Sequence, residues 1–278
     1  MKRKLKKGRS ILLISGLLTA SLLIASAGCT GQSNAGGLSG TVTEAGSSTV
    51  QPLAERFADA FMEVNPNVNI VIQGGGSSVG VKSVADGTVD IGAASRELKP
   101  GEPDLVKHLL ARDGIAIVVH PSNTISGLSK EQVRHIFAGV ITNWSEVGGS
   151  SGDITVVARE EGSGTRAAFE EMVMDEDLIT NMAILQPSNG AIRTTVSSTP
   201  LAIGFLSFGY LDSLIKSLAI DGVEGNTENA KDGSYPIVRS LYFLTKEQPS
   251  GLVKEFIDFC LGQEGQSIVN DEGYISVD

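Results

Sequence analysis

Short runs rich in valine and isoleucine alternate with stretches of helical period along almost the whole chain. Three stretches have helical spacing or helix-capping residues, namely 50–64, 129–138 and 251–261. Six runs have the composition of strands, several of them apolar on both faces: 68–72, 89–93, 115–119, 154–158, 203–206 and 237–244. Strands that are apolar on both faces are covered by helices on both sides of a sheet. The alternation therefore predicts an α/β fold.

Three short segments place serine and threonine hydroxyls beside glycine, directly before a helix-like stretch. They are 46–49 (Gly-Ser-Ser-Thr), 74–78 (Gly-Gly-Gly-Ser-Ser) and 161–166 (Glu-Gly-Ser-Gly-Thr-Arg). The start of a helix has unpaired N–H groups and a positive dipole end, so it attracts an anion. Any one segment could be a simple turn, because 33 of the 278 residues are glycine. The repeated order of donors followed by a helix predicts a metal-free oxyanion site.

Arginines occur next to these segments. Arg96 and Arg159 each follow a predicted buried strand, and ligands of open α/β sheets bind past the carboxyl ends of strands. The planar guanidinium suits a tetrahedral oxyanion, although a surface ion pair explains either arginine alone. Arg166 falls in a first helical turn, where a cation opposes the dipole unless an anion is near. A local ion pair with Glu160 or Glu161 is the alternative.

Catalytic patterns are weak. Residues 76–80 and 148–152 fit the G-x-S-x-G nucleophile elbow, which makes a serine hydrolase using Ser78 an alternative. Such an enzyme needs a histidine base, and the three histidines lie in helical, charged surroundings or before a proline at a strand end: His108, His120 and His135. We expect no enzyme activity.

The sequence also has no complete motif for a nucleotide or a metal. Residues 75–83 nearly match a nucleotide P-loop, but Val81 stands where lysine is required. No histidine or cysteine spacing matches a metal site. We therefore expect no cofactor and no metal.

The first 28 residues have the composition of a signal peptide. Six Lys or Arg and no acid occur in the first ten residues, followed by the apolar or small residues 11–25. This apolar segment is shorter than the roughly 20 residues of a spanning helix, and no later segment is long enough, so we expect export without a membrane span.

Cys29 follows small residues, as in a lipobox, although Ser26 stands where that pattern usually has leucine. We expect a lipid at Cys29 and a flexible tether over 29–40. The alternative is a disulfide between Cys29 and Cys260, the only two cysteines.

The charge of the chain is strongly negative. The net charge is −10, and without residues 1–28 there remain 16 basic and 32 acidic side chains. Such a protein repels nucleic acid at long range. An anion would have to be attracted by local dipoles and a few cations in a concave site.

The chain from about 41 to 278 resembles the extracytoplasmic phosphate-binding proteins of ABC-type phosphate importers. The likeness rests on five motifs that are specific together and weak alone: 45–52, 74–82, 89–92, 137–144 and 159–166. The resemblance implies a Venus flytrap, in which two α/β lobes joined by two crossover strands close on one phosphate. It implies lobe I over 41–117 and 238–278 and lobe II over 118–237, with crossovers near 115–119 and 237–241.

The resemblance also implies roles for individual residues. Arg159 falls where the family has its anion-binding arginine, and Glu161 where an acid orients that arginine. The expected phosphate ligands are Ser48, Thr49, Ser77, Ser95, Arg96, Arg159, Ser163, Gly164 and Thr165, with Ser47, Ser78 and Arg166 as additional candidates.

Ser95 departs from the family pattern, because well-studied members have aspartate there. That aspartate accepts a hydrogen bond from protonated phosphate and so rejects sulfate. A donor-only pocket would favour the dianion and tolerate sulfate, unless Glu44, Glu97 or Asp90 supplies the acceptor.

We therefore expect a non-catalytic, monomeric receptor, lipid-anchored on the outer face of the cytoplasmic membrane or periplasmic. It would bind inorganic phosphate at micromolar affinity or better and deliver it to the permease of an ABC importer. The same fold holding sulfate is the alternative.

Overall fold

The computed structural model describes residues 37–277. Within this range there are eleven strands: β1 (Ser39–Gly46), β2 (Asn67–Gly74), β3 (Ile91–Ala94), β4 (Val106–Val119), β5 (Gly127–Leu128), β6 (Thr155–Arg159), β7 (Ile184–Gln186), β8 (Ala202–Ser207), β9 (Lys216–Ser217), β10 (Ala219–Ile220) and β11 (Val238–Thr245). The same range contains eight α-helices: α1 (Gln51–Val64), α2 (Ser77–Asp86), α3 (Lys130–Phe137), α4 (Gly164–Phe169), α5 (Asn189–Ser198), α6 (Thr227–Lys231), α7 (Gly251–Leu261) and α8 (Gln263–Asp271). The predicted α/β fold is confirmed.

The predicted signal peptide at 1–28 and Cys29 lie outside the described residues. Of the predicted tether over 29–40, the structure describes residues 37–40, and the last two of these already belong to β1, which begins at Ser39. Among residues 37–277, no helix has the length and apolar character needed to span a bilayer. Cys260 is fully buried in α7, and burial raises the pKa of its thiol well above the usual value.

One sheet connects most of the strands, in the order β2-β1-β3-β11-β4-β8-β6-β7, with β9 paired to β4 beside this path. Strands β1, β2 and β3 are parallel to one another, as are β6, β7 and β8. Between these two parallel groups, β11 and β4 run antiparallel to their neighbours. Because the donor segments follow β1, β2 and β6, they all lie at carboxyl ends of parallel strands.

Strand β4 changes its partner halfway along its length. Its residues up to Gly114 pair with β11, and those from Ile115 to Val119 pair with β8. Two large apolar clusters follow this division. One is built mainly from residues 115–237, and the other from residues 42–111 and 241–274.

Helix α1 confirms the prediction for 50–64 and shows why its sequence is helical. Its apolar face buries Leu53, Phe57 and Phe61, while Pro52 occupies the first turn, where a missing N–H costs nothing. The ring of Phe61 packs edge-on against Phe256 of α7, with 5.4 Å between the ring centroids.

The predicted capping pair of α3 is confirmed. Ser129 Oγ accepts from the Gln132 backbone N–H at 3.0 Å, and Gln132 Oε1 accepts from the Ser129 N–H at 2.9 Å. These two bonds satisfy N–H groups at the start of the helix.

The prediction of helical surroundings for His108 is wrong. Strand β4 begins at Val106, nine residues before the predicted strand, and His108 lies within it. Its sequence Lys-His-Leu-Leu-Ala-Arg favours a helix by intrinsic propensity. Pairing with β11 along eight residues overrides that preference.

Glu44 is a buried carboxyl group on β1. It is about 1% exposed, and neither of its oxygens has a hydrogen-bond partner among residues 37–277. Burial raises the pKa of Glu44 well above its usual value, and the nearby Glu55 adds to the effect. The folded state therefore holds the Glu44 proton at a pH where the unfolded chain has lost it.

We expect Glu44→Gln to flatten the pH dependence of stability. Each unit by which the pKa is raised costs the folded protein about 1.4 kcal/mol once the pH exceeds the folded pKa. The free energy of unfolding of the unaltered protein should fall as the pH rises above about 4.5. Urea unfolding at pH 5 and pH 8 measures this, with Glu63→Gln at an exposed position of helix α1 as control. An equal pH effect in both variants would contradict the role of Glu44.

Candidate functional site

The three donor segments meet at one place. Thr49 and Thr165, from the first and third segments, have their hydroxyl oxygens 3.0 Å apart. The Ser78 N–H at the start of α2 donates to the Gly162 carbonyl at 3.1 Å. The starts of α1, α2 and α4 thus lie against one another at the carboxyl ends of the parallel strands.

Gly164 permits this close approach. A Cβ atom on Gly164 would lie 2.1 Å from Ser77 Oγ and 2.5 Å from Ser95 Oγ, closer than such atoms come in real proteins. Only a residue without a side chain fits between these hydroxyls.

Arg159 ends β6, and its guanidinium reaches the first donor segment. It is about 2% exposed, and its Nη2 donates to Ser48 Oγ at 3.1 Å and to the Pro187 carbonyl at 2.8 Å. Its Nε donates to the Gln186 carbonyl at 3.2 Å, and Nη1 lies 3.4 Å from Asn189 Oδ1. Within residues 37–277 no carboxylate forms a salt bridge with it.

Burial lowers the pKa of Arg159 to about 10, and the neighbouring cation of Arg239 contributes. The guanidinium is still protonated at neutral pH. A buried positive charge without a carboxylate partner is costly, and a bound anion would remove that cost.

The hydroxyl of Thr49 contacts three polar side chains of the site. Its Oγ1 accepts from Asn189 Nδ2 at 2.9 Å and from Arg239 Nη2 at 3.2 Å. Its carbonyl accepts from the Tyr274 hydroxyl at 2.9 Å, which holds the start of α1 in place.

Three serines form a second buried chain. Ser47 Oγ donates to Ser95 Oγ at 2.9 Å, and the Ser95 N–H donates to Ser77 Oγ at 3.0 Å. Ser47 Oγ in turn accepts from the N–H groups of Thr49 and Val50 at 3.2 and 3.4 Å. The hydroxyls of the first two segments are thereby coupled to Ser95 at the end of β3.

A buried ion pair lies between the two antiparallel central strands. Arg239 of β11 faces Asp113 of β4, and its Nη2 lies 2.8 Å from Asp113 Oδ2. Asp113 Oδ1 accepts from Ser207 Oγ at 2.9 Å and from the Phe208 N–H at 3.2 Å. Burial raises the pKa of Asp113 against the opposing effect of Arg239.

The site therefore offers hydroxyl and N–H donors around the Arg159 guanidinium, which no carboxylate of the described part of the chain compensates. Charge-assisted hydrogen bonds of this kind hold oxyanions. Within residues 37–277, no group of three or more His, Cys, Asp or Glu could hold a metal ion.

Comparison with known proteins agrees with this chemistry. A family model described as a PBP superfamily domain matches residues 31–264. The phosphate-binding protein PstS of Bacillus subtilis (strain 168) is 38% identical over 98% of this chain and 95% of its own length. The chain belongs to the PstS family of phosphate-binding proteins.

Solved structures of the PstS family are similar as well. A phosphate ABC transporter substrate-binding protein with bound phosphate from Clostridium perfringens is 39% identical, with a TM-score of 0.83 over 86% of this chain and all of that one. An ABC-type phosphate transport receptor from Vibrio cholerae is 31% identical, with a TM-score of 0.72 over 85% of this chain and all of that one. The two-lobed fold of periplasmic binding proteins is thereby confirmed.

Relatives in the PstS family are transport receptors and not enzymes, so the serine hydrolase alternative is wrong. The geometry gives the physical reason, because Ser78 Oγ accepts from Arg96 and has no histidine partner among residues 37–277. The histidines bond elsewhere, for example His108 to Thr245 at 2.9 Å and His120 to Ser122 at 2.8 Å.

Two predicted arginines of the PstS-like site are neutralised by acids. Arg96 is buried and forms a two-pronged pair with Glu102 at 2.7 and 2.8 Å. Arg166 pairs with Glu170 one turn further along at 2.7 Å, instead of with Glu160 or Glu161. Their role as direct anion ligands stays a prediction.

Arg159 of the PstS-like site is not held by the acid that the resemblance implies. Glu161 is exposed and takes no part in the hydrogen bonds of Arg159 among the described residues, where Asn189 and two carbonyls hold the guanidinium. Of the suggested substitute acceptors, Asp90 bonds to Thr43 and Glu97 bonds to Tyr242 and Lys107.

Sequence reasoning missed four contributors to the PstS-like site, which are Asp113, Asn189, Tyr210 and Arg239. The signal for Asn189 was present, because Ser-Asn-Gly at 188–190 also combines polar residues with glycine at the start of a helix. Arg239 was also visible as a charge inside an apolar strand. Tyr210, whose hydroxyl donates to the Ser48 carbonyl at 2.8 Å, had no such signal.

Proposed function

We propose that this protein is an extracytoplasmic receptor that binds inorganic phosphate in the crevice between its lobes and delivers it to the permease of an ABC importer. The observation that carries the proposal is Arg159, a buried cation with hydroxyl, amide and carbonyl neighbours and no carboxylate partner among residues 37–277. The names of the relatives supply the ligand and the transporter.

The phosphate ligands in this proposal come from all three donor segments and from β3 and β6. They are Ser48, Thr49, Ser77, Ser95, Arg159, Ser163, Gly164 and Thr165. Hydrogen bonds within this set, such as the one between Thr49 and Thr165, support the assignment, because the same donors can turn to one tetrahedral oxyanion.

The lobe boundaries belong to the proposal. Lobe I comprises 41–117 and 238–278, and lobe II comprises 118–237. The separate apolar clusters and the change of partner in β4 at Ile115 support this division. Closure of one lobe on the other would exclude water and strengthen each polar contact.

The envelope location also belongs to the proposal. A signal peptide over 1–28 and a lipid on Cys29 would place a monomeric receptor at the outer face of the cytoplasmic membrane or in a periplasm. Radiolabelled palmitate should enter the unaltered protein and not Cys29→Ser, whereas equal labelling of both would exclude this anchor.

Calorimetry with phosphate, arsenate, sulfate and molybdate tests the receptor function. We expect phosphate to bind with a dissociation constant of about 1 μM or lower, because several charge-assisted bonds of roughly 1.5–3 kcal/mol each act together. Phosphate at about 100 times its dissociation constant should raise the free energy of unfolding by about 2.7 kcal/mol. Absence of heat and of stabilisation with all four anions would contradict the proposal.

Sulfate remains a second candidate ligand. Ser95 provides a hydroxyl where an acidic acceptor would reject sulfate, and Glu44, Asp90 and Glu97 make no hydrogen bond to the hydroxyls of the site. Competition between sulfate and phosphate in the same calorimeter decides between them.

A further inference from the structure

All N–H groups of the Arg239 guanidinium donate to acceptors of the protein. Its Nε and Nη2 donate to Asp113 Oδ2 at 3.1 and 2.8 Å, and Nη2 also donates to Thr49 Oγ1 at 3.2 Å. Its Nη1 donates to the carbonyl and the hydroxyl of Ser95 at 3.3 and 3.5 Å. A guanidinium has five N–H groups, so Arg239 has none left for a ligand. It can act on a ligand only through Thr49 and Ser95.

The contacts of Thr49 determine the direction of its hydroxyl hydrogen. A hydroxyl oxygen has two lone pairs, and those of Thr49 accept from Asn189 and Arg239. Its hydrogen must therefore be donated, and Thr165 Oγ1 lies 3.0 Å away to receive it. The hydroxyl hydrogen of Thr165 then does not point at Thr49 and is available to another acceptor.

Ser95 is saturated in the same way. Its Oγ accepts from Ser47 Oγ at 2.9 Å and from Arg239 Nη1 at 3.5 Å. Ser47 cannot reverse this bond, because its own oxygen accepts from the N–H groups of Thr49 and Val50. The Ser95 hydrogen must also be donated, to Ser77 or to a ligand.

Among residues 37–277, the charged groups around Arg239 offer no replacement acceptor. Both oxygens of Asp113 are occupied, by Arg239 and by Ser207 and Phe208. The hydroxyls of Tyr210 and Tyr274 donate to backbone carbonyls. The remaining charged neighbour, Arg159, is a cation without an acceptor atom.

We infer that Arg239 is a positioning residue which turns the hydroxyls of Thr49 and Ser95 into obligatory donors, and that it thereby selects oxyanions whose oxygens carry no proton. The inference rests on the proposed function and specifies its ligand class: phosphate as the dianion and, beside it, sulfate. A P–OH group would find no acceptor on Thr49 or Ser95, whereas S–O⁻ and P–O⁻ oxygens meet donors there.

The unaltered protein provides the first test. Sulfate should bind within about 100-fold of phosphate at pH 8, far from the 10⁴- to 10⁵-fold rejection that a site with a buried matching acceptor achieves. Between pH 6 and pH 8 phosphate affinity should rise several-fold while sulfate affinity stays constant, because only phosphate loses a proton in this range. Rejection of sulfate by 10⁴-fold or more would overturn the inference and leave the phosphate receptor intact. Failure to bind phosphate would instead overturn the proposed function.

Removal of the donors provides the second test. The double variant Asp113→Asn/Arg239→Met takes away both charges together, and Arg239→Lys keeps the charge with a different donor geometry. Freed lone pairs on Thr49 and Ser95 can then accept P–OH, so the ratio of the sulfate to the phosphate dissociation constant should rise at least about tenfold, which corresponds to 1.4 kcal/mol. Arg56→Met, which removes the exposed pair with Glu272, is the control and should leave the ratio unchanged. Equal weakening of both anions in folded Arg239→Lys would show a merely structural role and overturn the inference.

Discussion

Replacement of Arg159 by methionine is expected to weaken phosphate binding at least about 100-fold, or about 2.7 kcal/mol. Arg159 is the one buried cation of the described site that has neither a carboxylate nor a full set of protein acceptors. Methionine keeps much of the apolar volume and removes the charge. Titration calorimetry with phosphate measures the loss directly.

The lysine variant separates charge from geometry. Arg159→Lys retains a cation but cannot donate with a planar fork, so its affinity should lie between those of the unaltered protein and Arg159→Met. Arg193→Met is a matched control, because Arg193 pairs with Asp212 near the surface at 3.1 Å. If Arg159→Met bound phosphate as tightly as Arg193→Met, the central role of the Arg159 charge would be refuted.

Replacement of Gly164 by alanine is expected to weaken phosphate binding by about 10- to 100-fold. The new methyl group would lie 2.1 Å from Ser77 Oγ and 2.5 Å from Ser95 Oγ, so the third segment could not approach the other two. Overpacking of this kind costs about 1–3 kcal/mol. The methyl group acts where the segments meet, so the effect should fall on the closed, ligand-bound state.

The fold itself should tolerate the Gly164→Ala change. Gly164 is the first residue of α4 and does not have a positive φ, and alanine favours a helix by about 1 kcal/mol relative to glycine. Gly190→Ala is the matched control, because it lies in the first turn of α5 with its nearest neighbour 3.8 Å from the added Cβ. Calorimetry and melting should show an affinity loss for Gly164→Ala alone, and the proposal fails if both variants bind equally well.

The local chemistry of the site was readable from the sequence. Hydroxyls and glycines before a helix depend on neighbours within about four residues, so the donor character of 46–49, 74–78 and 161–166 needs no tertiary information. The capping pair Ser129 and Gln132 is local for the same reason. Apolar runs of strand length likewise indicated a buried sheet between helices.

Which charged residues pair with one another was not readable, because the pairing depends on the path of the folded chain. Arg96 and Arg159 look alike in sequence, each following a buried strand, yet Glu102 neutralises one and no carboxylate among the described residues pairs with the other. Strand β4 from Val106 was hidden for a similar reason, since its helical propensity yields only to pairing with β11.

The sequence alone determined the α/β class, the three donor segments and the resemblance to phosphate receptors, because each depends on composition and on short-range order. Only the tertiary structure decided that Arg239, 190 residues from Thr49, directs its hydroxyl. It also decided that Asn189 supports Arg159 and that Asp113 neutralises Arg239. Hydrogen-bond direction depends on which lone pairs are already occupied, and that is a property of the folded arrangement.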